Sequence, residues 1–322
     1  MTEMILCAVD DSEAAARVLH TAQGLADAWG AELVVVHAFA SSDEDADRAK
    51  ASIGARLSGA GMSSDVRLIE GPSARAIIET AEHDGAELIV VGSRGRGSLR
   101  SAMLGSVSRG LALDASCPVV IVPSGEHWAD AVNGDGDAQA SVVCGVDGSD
   151  QALAAAALAG RLATRLGARL VLVHARQNLR AVRTYPGASM KTPPVTGQED
   201  AVRELAARVI ENAEQAAGVS AVAVVEPGPP TEVLEAVAER ENARLIVIAA
   251  RGIGAVRAAL LGSVAAELPA EAARPVVVLS VAAAAAVGSG GLPPDLDASG
   301  DATTADPRGG PKCGRRGVDL SG

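Results

Sequence analysis

Short uninterrupted apolar runs alternate along this chain with longer segments in which apolar positions recur every three or four residues. In the first part of the chain the runs fall near residues 4–9, 32–38, 66–69, 87–92 and 118–122, and they are rich in Val and Ile. Runs this short, without polar interruption, predict parallel strands buried on both faces. The segments between them predict helices. SEAAARVLHTAQGLADAWG is expected to open on Ser12 as N-cap and to close on Gly30 as C-cap. Strand, helix and strand in alternation demand right-handed crossovers and a doubly wound α/β sheet covered by helices on both faces.

The pattern then returns. MILCAVDDSEAA reappears as VVCGVDGSDQA, which aligns Asp10 with Asp147, and GAELVVVHA ending at Ala38 reappears as GARLVLVHA ending at Ala175 at the same offset. At a second, larger offset, EGPSARAIIETAEHDGAELIVVGSRG matches PGPPTEVLEAVAERENARLIVIAARG, LGSV from Leu104 recurs from Leu261, and CPVVIV recurs as RPVVVL. The second copy has therefore gained a stretch between Ala175 and Gly228. Two long copies in order mean tandem domains, because solenoid repeats are shorter and more numerous.

Each copy is expected to form a five-stranded parallel sheet. The predicted organisation is a first domain over 1–124, a polar Gly/Asp-rich linker over 125–140, and a second domain over 141–281 with its insertion at about 176–197. From about 282 to 322 the chain is Ala, Gly, Pro and Asp without periodicity, and is expected to be a disordered tail. PVVIVP from Pro118 and PVVVLSV from Pro275 would each leave a hydrophobic edge strand, so the two domains are expected to pair through them.

Composition narrows the function classes. Of the residues, 48% are apolar but only Trp29, Phe39, Trp128 and Tyr185 are aromatic, so the cores are aliphatic and no stacking face for single-stranded nucleic acid exists. A net charge of −12 argues against nucleic acid or an anionic membrane as partner. MTEMILCAVD lacks the basic region of a secretion signal, and VVVLSVAAAAAV is too short to span a bilayer. Cys7, Cys117, Cys144 and Cys313 follow no metal spacing and read as thiols of a reducing compartment, so a cytoplasmic location is expected.

Chemistry concentrates at strand ends, where open parallel sheets bind ligands. In VGSRGRGSLRSAMLGSVSRG, Gly92 and Gly95 would allow positive φ and close approach of an anion to the main chain. Gly105 and Ser106 open a predicted helix whose free N–H groups attract phosphate, and Arg94 or Arg96 would add positive charge. Neither a P-loop nor a Rossmann GxGxxG fits, since Ser98 follows Gly97 with no lysine and VDDSEAA follows the first strand. His37 and His174 occupy matched positions without a sequence-evident carboxylate or nucleophile partner, and read as structural imidazoles. Asp10 is the better functional candidate of the Asp10–Asp11 pair.

VDDSEAA, VVVHA, EGPSARAI, ELIVVGSRGRGSL, LGSVS and CPVVIV, in this order, resemble the universal stress protein domain, over 1–124 and again over 141–281. The most specific element is G-x2-G-x9-G-S, carried by Gly92, Gly95, Gly105 and Ser106. The resemblance implies a Rossmann-like, adenine-nucleotide-hydrolase-like fold and, in its ATP-binding branch, a role for each matched position. Ala8, Asp10 and Ala38 would border the adenosine. Gly92, Gly95, Gly105, Ser106 and Val107 would wrap ribose and phosphates, with Mg²⁺ accompanying ATP.

The second-copy counterparts are Gly145, Asp147, Ala175, Ala249, Arg251, Gly252, Gly262, Ser263 and Val264. Here alanine replaces the first glycine, and Ser93, Arg96 and Ser98 become Ala250, Ile253 and Ala255. The implied function is a nucleotide-dependent stress-response module without dedicated catalysis. The alternatives are a slow ATP hydrolase and a dimerisation module that binds no nucleotide. The HxGH and SGGxDS signatures of adenylate-handling enzymes are absent from the sequence. Single-domain relatives dimerise through the last strand, so a homodimer of this tandem chain would use another surface.

Overall fold

The computed structural model describes residues 3–12, 14–39, 46–62, 66–71, 73–95, 103–124, 140–176, 198–252 and 260–288. The linker up to residue 139, the insertion from 177 to 197, the tail from 289, and Arg96, Gly97, Ser98, Ile253 and Ala255 lie outside the described residues.

The first copy runs β1 (Met4–Ala8), α1 (Ala15–Trp29), β2 (Glu32–Phe39), α2 (Ala46–Gly59), β3 (Val66–Glu70), α3 (Ser73–Asp84), β4 (Leu88–Gly92), α4 (Ser106–Asp114) and β5 (Val119–Val122). The second runs β6 (Ser141–Gly145), α5 (Asp150–Arg165), β7 (Arg169–Arg176), α6 (Gln198–Ala217), β8 (Ala221–Pro227), α7 (Pro230–Arg240), β9 (Ala243–Ala249), α8 (Ser263–Glu271) and β10 (Val276–Leu279). A last helix, α9 (Val281–Gly288), follows.

The strands form one ten-stranded sheet in the order β3-β2-β1-β4-β5-β10-β9-β6-β7-β8. Every pairing within a copy is parallel, and the seam between copies is antiparallel, with Val276 opposite Ile121, Val277 opposite Val120 and Val278 opposite Val119. The two expected five-stranded sheets have thus closed their hydrophobic edges against each other. All eight residues of β5 and β10 are buried. Each valine so removed from water contributes about 1.5–3 kcal/mol. Polar contacts reinforce the seam: Arg165 of α5 forms a two-pronged ion pair with Glu3, and its guanidinium lies 5.5 Å from the Trp29 ring centroid.

Helices cover both faces, as the apolar spacing requires. On α1, Ala15, Val18, Leu19, Ala22, Leu25 and Ala26 turn inward, and the helix ends at Gly30, whose left-handed φ of 64° lets its N–H reach the Ala26 and Asp27 carbonyls. Its start departs from expectation. Ala14, not Ser12, is the N-cap and no side chain caps it, while the Ser12 N–H donates to Asp10 Oδ1 at 3.1 Å. Ser149, the counterpart of Ser12, does cap α5, through the Ala152 N–H at 3.2 Å.

The other departure is α9, which occupies the start of the expected disordered tail. Ser280 is buried and caps this helix, accepting from the Ala283 N–H at 2.9 Å while its hydroxyl donates to the Ala115 carbonyl of the first copy. Ala283, Ala284 and Val287 join the apolar layer beside α5. A run of alanines shows no polar contrast and hence no periodicity, yet alanine is the strongest helix former.

Candidate functional site

Strand order reverses at β1, which lies between β2 and β4, and an opening forms above the carboxyl ends of these three strands. The resulting cleft has a volume of about 470 Å³, within the ordinary range for small-molecule sites. Its walls come from the ends of β1, β2 and β4 and the first turns of α1, α3 and α4. All nine first-copy residues singled out in the sequence line it: Ala8, Asp10, Ala38, Gly92, Arg94, Gly95, Gly105, Ser106 and Val107. Val18, His37, Ser73, Ile77 and Ser108 also line it. Of these additions, His37 reads as structural in the sequence, while Ser73, Ile77 and Ser108 fall inside the segments that carry the family resemblance.

The three glycines serve close packing, and none of them has positive φ. A Cβ on Gly95 would lie 2.7 Å from Asp10 Oδ2, so the β4–α4 loop passes directly over the Asp10 carboxylate. At Gly105 a Cβ would lie 3.3 Å from the Ser93 carbonyl oxygen, and at Gly92 it would lie 3.3 Å from Val18 Cγ2. The expectation of left-handed backbone at Gly92 and Gly95 is therefore corrected: steric clearance, with φ negative, is what these sites need.

At the mouth of α4, the Gly105 N–H donates to the Ser93 carbonyl at 2.9 Å, which turns the chain into the helix. No side chain caps that helix, so its first N–H groups open toward the cleft. Ser108 Oγ lies 3.0 Å from the Ser93 carbonyl, and Ser93 Oγ accepts from the Ser124 N–H at 3.1 Å, bracing the loop against the end of β5. Arg94 Nε is buried and has no partner among the described residues. An anion at the α4 terminus would meet an uncapped helix dipole and a guanidinium nitrogen in need of an acceptor.

On the other side, His37 is 3% exposed and its Nδ1 lies 2.8 Å from the Val9 carbonyl. Among the described residues no group of three or more His, Cys, Asp or Glu could hold a metal. Burial pushes the Cys117 and Cys144 thiols up to about 12, and raises that of Cys7 as well, so these sulfurs stay protonated and inert near neutral pH.

The second copy reproduces the backbone of this arrangement. The Gly262 N–H donates to the Ala250 carbonyl at 2.8 Å, and a Cβ on Gly252 would fall 2.0 Å from Asp147 Oδ2. Ala249 does not have positive φ, so its methyl meets no backbone penalty. Ala155 stands where the first copy has Val18, which leaves room for that methyl. Conversely, Gly145 replaces Ala8, and Leu234 closes to 3.1 Å from where a Cβ would sit. Arg251 Nε donates to the Leu260 carbonyl at 3.2 Å. Ala175 packs beside the apolar cluster under α7 and α8, and Ser263 and Val264 begin α8.

The chain matches the Universal stress protein family over residues 1–123 and 140–280. It is 36% identical over 193 residues to universal stress protein Rv2005c of Mycobacterium tuberculosis H37Rv, a match covering 60% of this chain and 61% of that relative. The match thus spans about three-fifths of the length of this curated relative. A universal stress protein structure from Archaeoglobus fulgidus DSM 4304 superposes with a TM-score of 0.58 at 22% identity, covering 85% of this chain and 97% of that one. The functionally unknown protein PA1789 of Pseudomonas aeruginosa PAO1 superposes with a TM-score of 0.60 at 18% identity, covering 89% and 96%. At these identities the superpositions speak for the fold, and the two matched segments show that this chain belongs to the universal stress protein family, with two such domains in tandem.

Proposed function

We propose that the first-copy cleft binds ATP and that the chain acts as a nucleotide-dependent regulatory module without dedicated catalysis. The observation that carries this reading is the convergence at one 470 Å³ cleft of the uncapped α4 terminus, the partnerless Arg94 Nε and the three close-packed glycines. Phosphates fit the α4 end, where N–H donors and positive charge meet. The adenosine fits between Ala8, Asp10 and Ala38. With no protein cage for a metal among the described residues, Mg²⁺ would ride on phosphate oxygens and its own waters, with Asp10 as the carboxylate lining the cleft.

No residue is assigned a catalytic role in this reading. The chain would act through partners or conformation, the two copies being linked by one continuous sheet. Nucleotide extracted from freshly purified protein, together with calorimetry of added ATP, tests the proposal. One nucleotide per chain, held mainly by the first copy, is expected. No detectable binding at millimolar ATP would overturn it, and turnover near the ordinary enzyme range of about 1–1,000 per second would overturn its non-catalytic part.

A further inference from the structure

His37 lies on β2, on the face it shares with Val35, and is buried beside the apolar layer under α1. Its Nδ1 faces the Val9 carbonyl at 2.8 Å, and a carbonyl can only accept. Nδ1 therefore carries the proton, and in the neutral ring Nε2 is left as a bare acceptor. That atom is buried, has no partner among the described residues, and belongs to a residue lining the cleft. A buried acceptor left unmatched is costly to the protein, and a ligand donor would recover the loss.

The character of that ligand group follows from chemistry and place. Phosphate oxygens only accept, so a bare Nε2 cannot serve the phosphate end. It also stands on β2, whereas α4 follows β4, with β1 between them. At the usual spacing of neighbouring strands these two ends are about 10 Å apart, which suits the separation of a nucleoside from its outer phosphates.

We propose that His37 Nε2 accepts a hydrogen bond from the nucleoside half of the bound nucleotide, making His37 a specificity-determining residue of the first cleft. The inference rests on the nucleotide reading above. Two groups of ATP share the required donor chemistry, the exocyclic amine of adenine and a ribose hydroxyl.

The test is calorimetry of the full chain with ATP, inosine triphosphate, 2′-deoxy-ATP and 3′-deoxy-ATP, on the wild type and on His37→Asn and His37→Gln. Asparagine keeps a donor where Nδ1 stands and deletes the Nε2 acceptor, whereas glutamine places a carbonyl oxygen near the Nε2 position. His37→Asn is expected to weaken ATP about tenfold with its thermal midpoint unchanged, and His37→Gln to restore most of the loss. In the wild type one analogue, inosine triphosphate or a deoxy form, should show a similar deficit, identifying the donor. That deficit should vanish in His37→Asn.

Equal ATP affinity in wild type and His37→Asn would overturn the inference while leaving the nucleotide reading intact. So would equal losses in both variants with a lowered midpoint, which would mark a purely structural imidazole. Without any variant, a wild type that treats all four nucleotides alike would also overturn it. A wild type that binds none of them would remove the nucleotide reading and this inference together.

Discussion

Around Arg94 and around Arg251 the chain makes the same turn above a carboxylate, and the two turns differ in what remains available. Gly105 and Gly262 each send an N–H to the carbonyl one residue beyond the strand end, at 2.9 Å and 2.8 Å, and start helices with φ near −60°. In the first copy Arg94 Nε is left without a partner among the described residues, while in the second Arg251 Nε is held by the Leu260 carbonyl. The serine brace of Ser93 and Ser108 becomes Ala250 and Ala265, and the space beside Ala8 is taken up at Gly145 by Leu234. Duplication has kept the backbone that builds a phosphate-type turn and changed the side chains that would use it. Backbone geometry is protected by packing, whereas polar groups in a cleft are tied to its ligand.

The sharpest way to break this comparison is Gly105→Val. Its Cβ would press on the Ser93 carbonyl and its methyls would enter the space over the first turn of α4. ATP affinity is expected to fall by more than about a hundredfold, with calorimetry as the readout and an unchanged circular dichroism spectrum as the check on folding. Unaltered binding would show that the nucleotide lies elsewhere.

Arg94→Gln should cost less, about 10–100-fold for ATP, the worth of a charge-assisted hydrogen bond. Adenosine affinity should be nearly unaffected, because the guanidinium is assigned to the phosphate end. An equal loss for adenosine and ATP would move Arg94 away from the phosphates. Arg251→Gln is expected to leave total ATP binding within about twofold, since that side chain is already engaged.

A graft sharpens the comparison from the opposite side. Ala249→Gly, Ala250→Ser and Ala265→Ser together restore the first-copy residues at three second-copy positions. Binding by the second copy should strengthen by roughly three- to tenfold, seen as a weak second equivalent in calorimetry. No change would place the deficit in Leu234 and Gly145. The smallest effect is expected from Gly262→Val, which should shift ATP affinity by less than about twofold if the first cleft carries the binding. A large loss there would make the two copies equal partners.

Much of the fold is legible in the sequence. Uninterrupted Val/Ile runs predict strands buried on two faces, and the observed strands begin and end within a residue or two of those runs. Ser12 misled because α1 begins only at Ala15, two positions later in the matched register than α5 at Asp150, and where a turn hands over to a helix is not a matter of the capping residue alone. The helix α9 was hidden because periodicity needs polar contrast, which AAAAA lacks. For the cleft, the glycine and serine spacing was visible in the sequence, but the reason for the glycines was not: clearance above Asp10 and Ser93 is a distance between segments far apart in the chain.

The sequence by itself determined the tandem repeat, the class of sheet and which residues gather at the carboxyl ends of the strands, because strand and helix periods are local properties of the chain. Tertiary structure alone decided that the methyl of Ala249 is accommodated beside Ala155, that Arg94 and Arg251 differ in their partners, and that Nε2 of His37, a residue lining the cleft, is buried without one among the described residues. These are outcomes of close packing and of hydrogen-bond pairing between distant segments, and the chain settles them only once the sheet has brought those segments together.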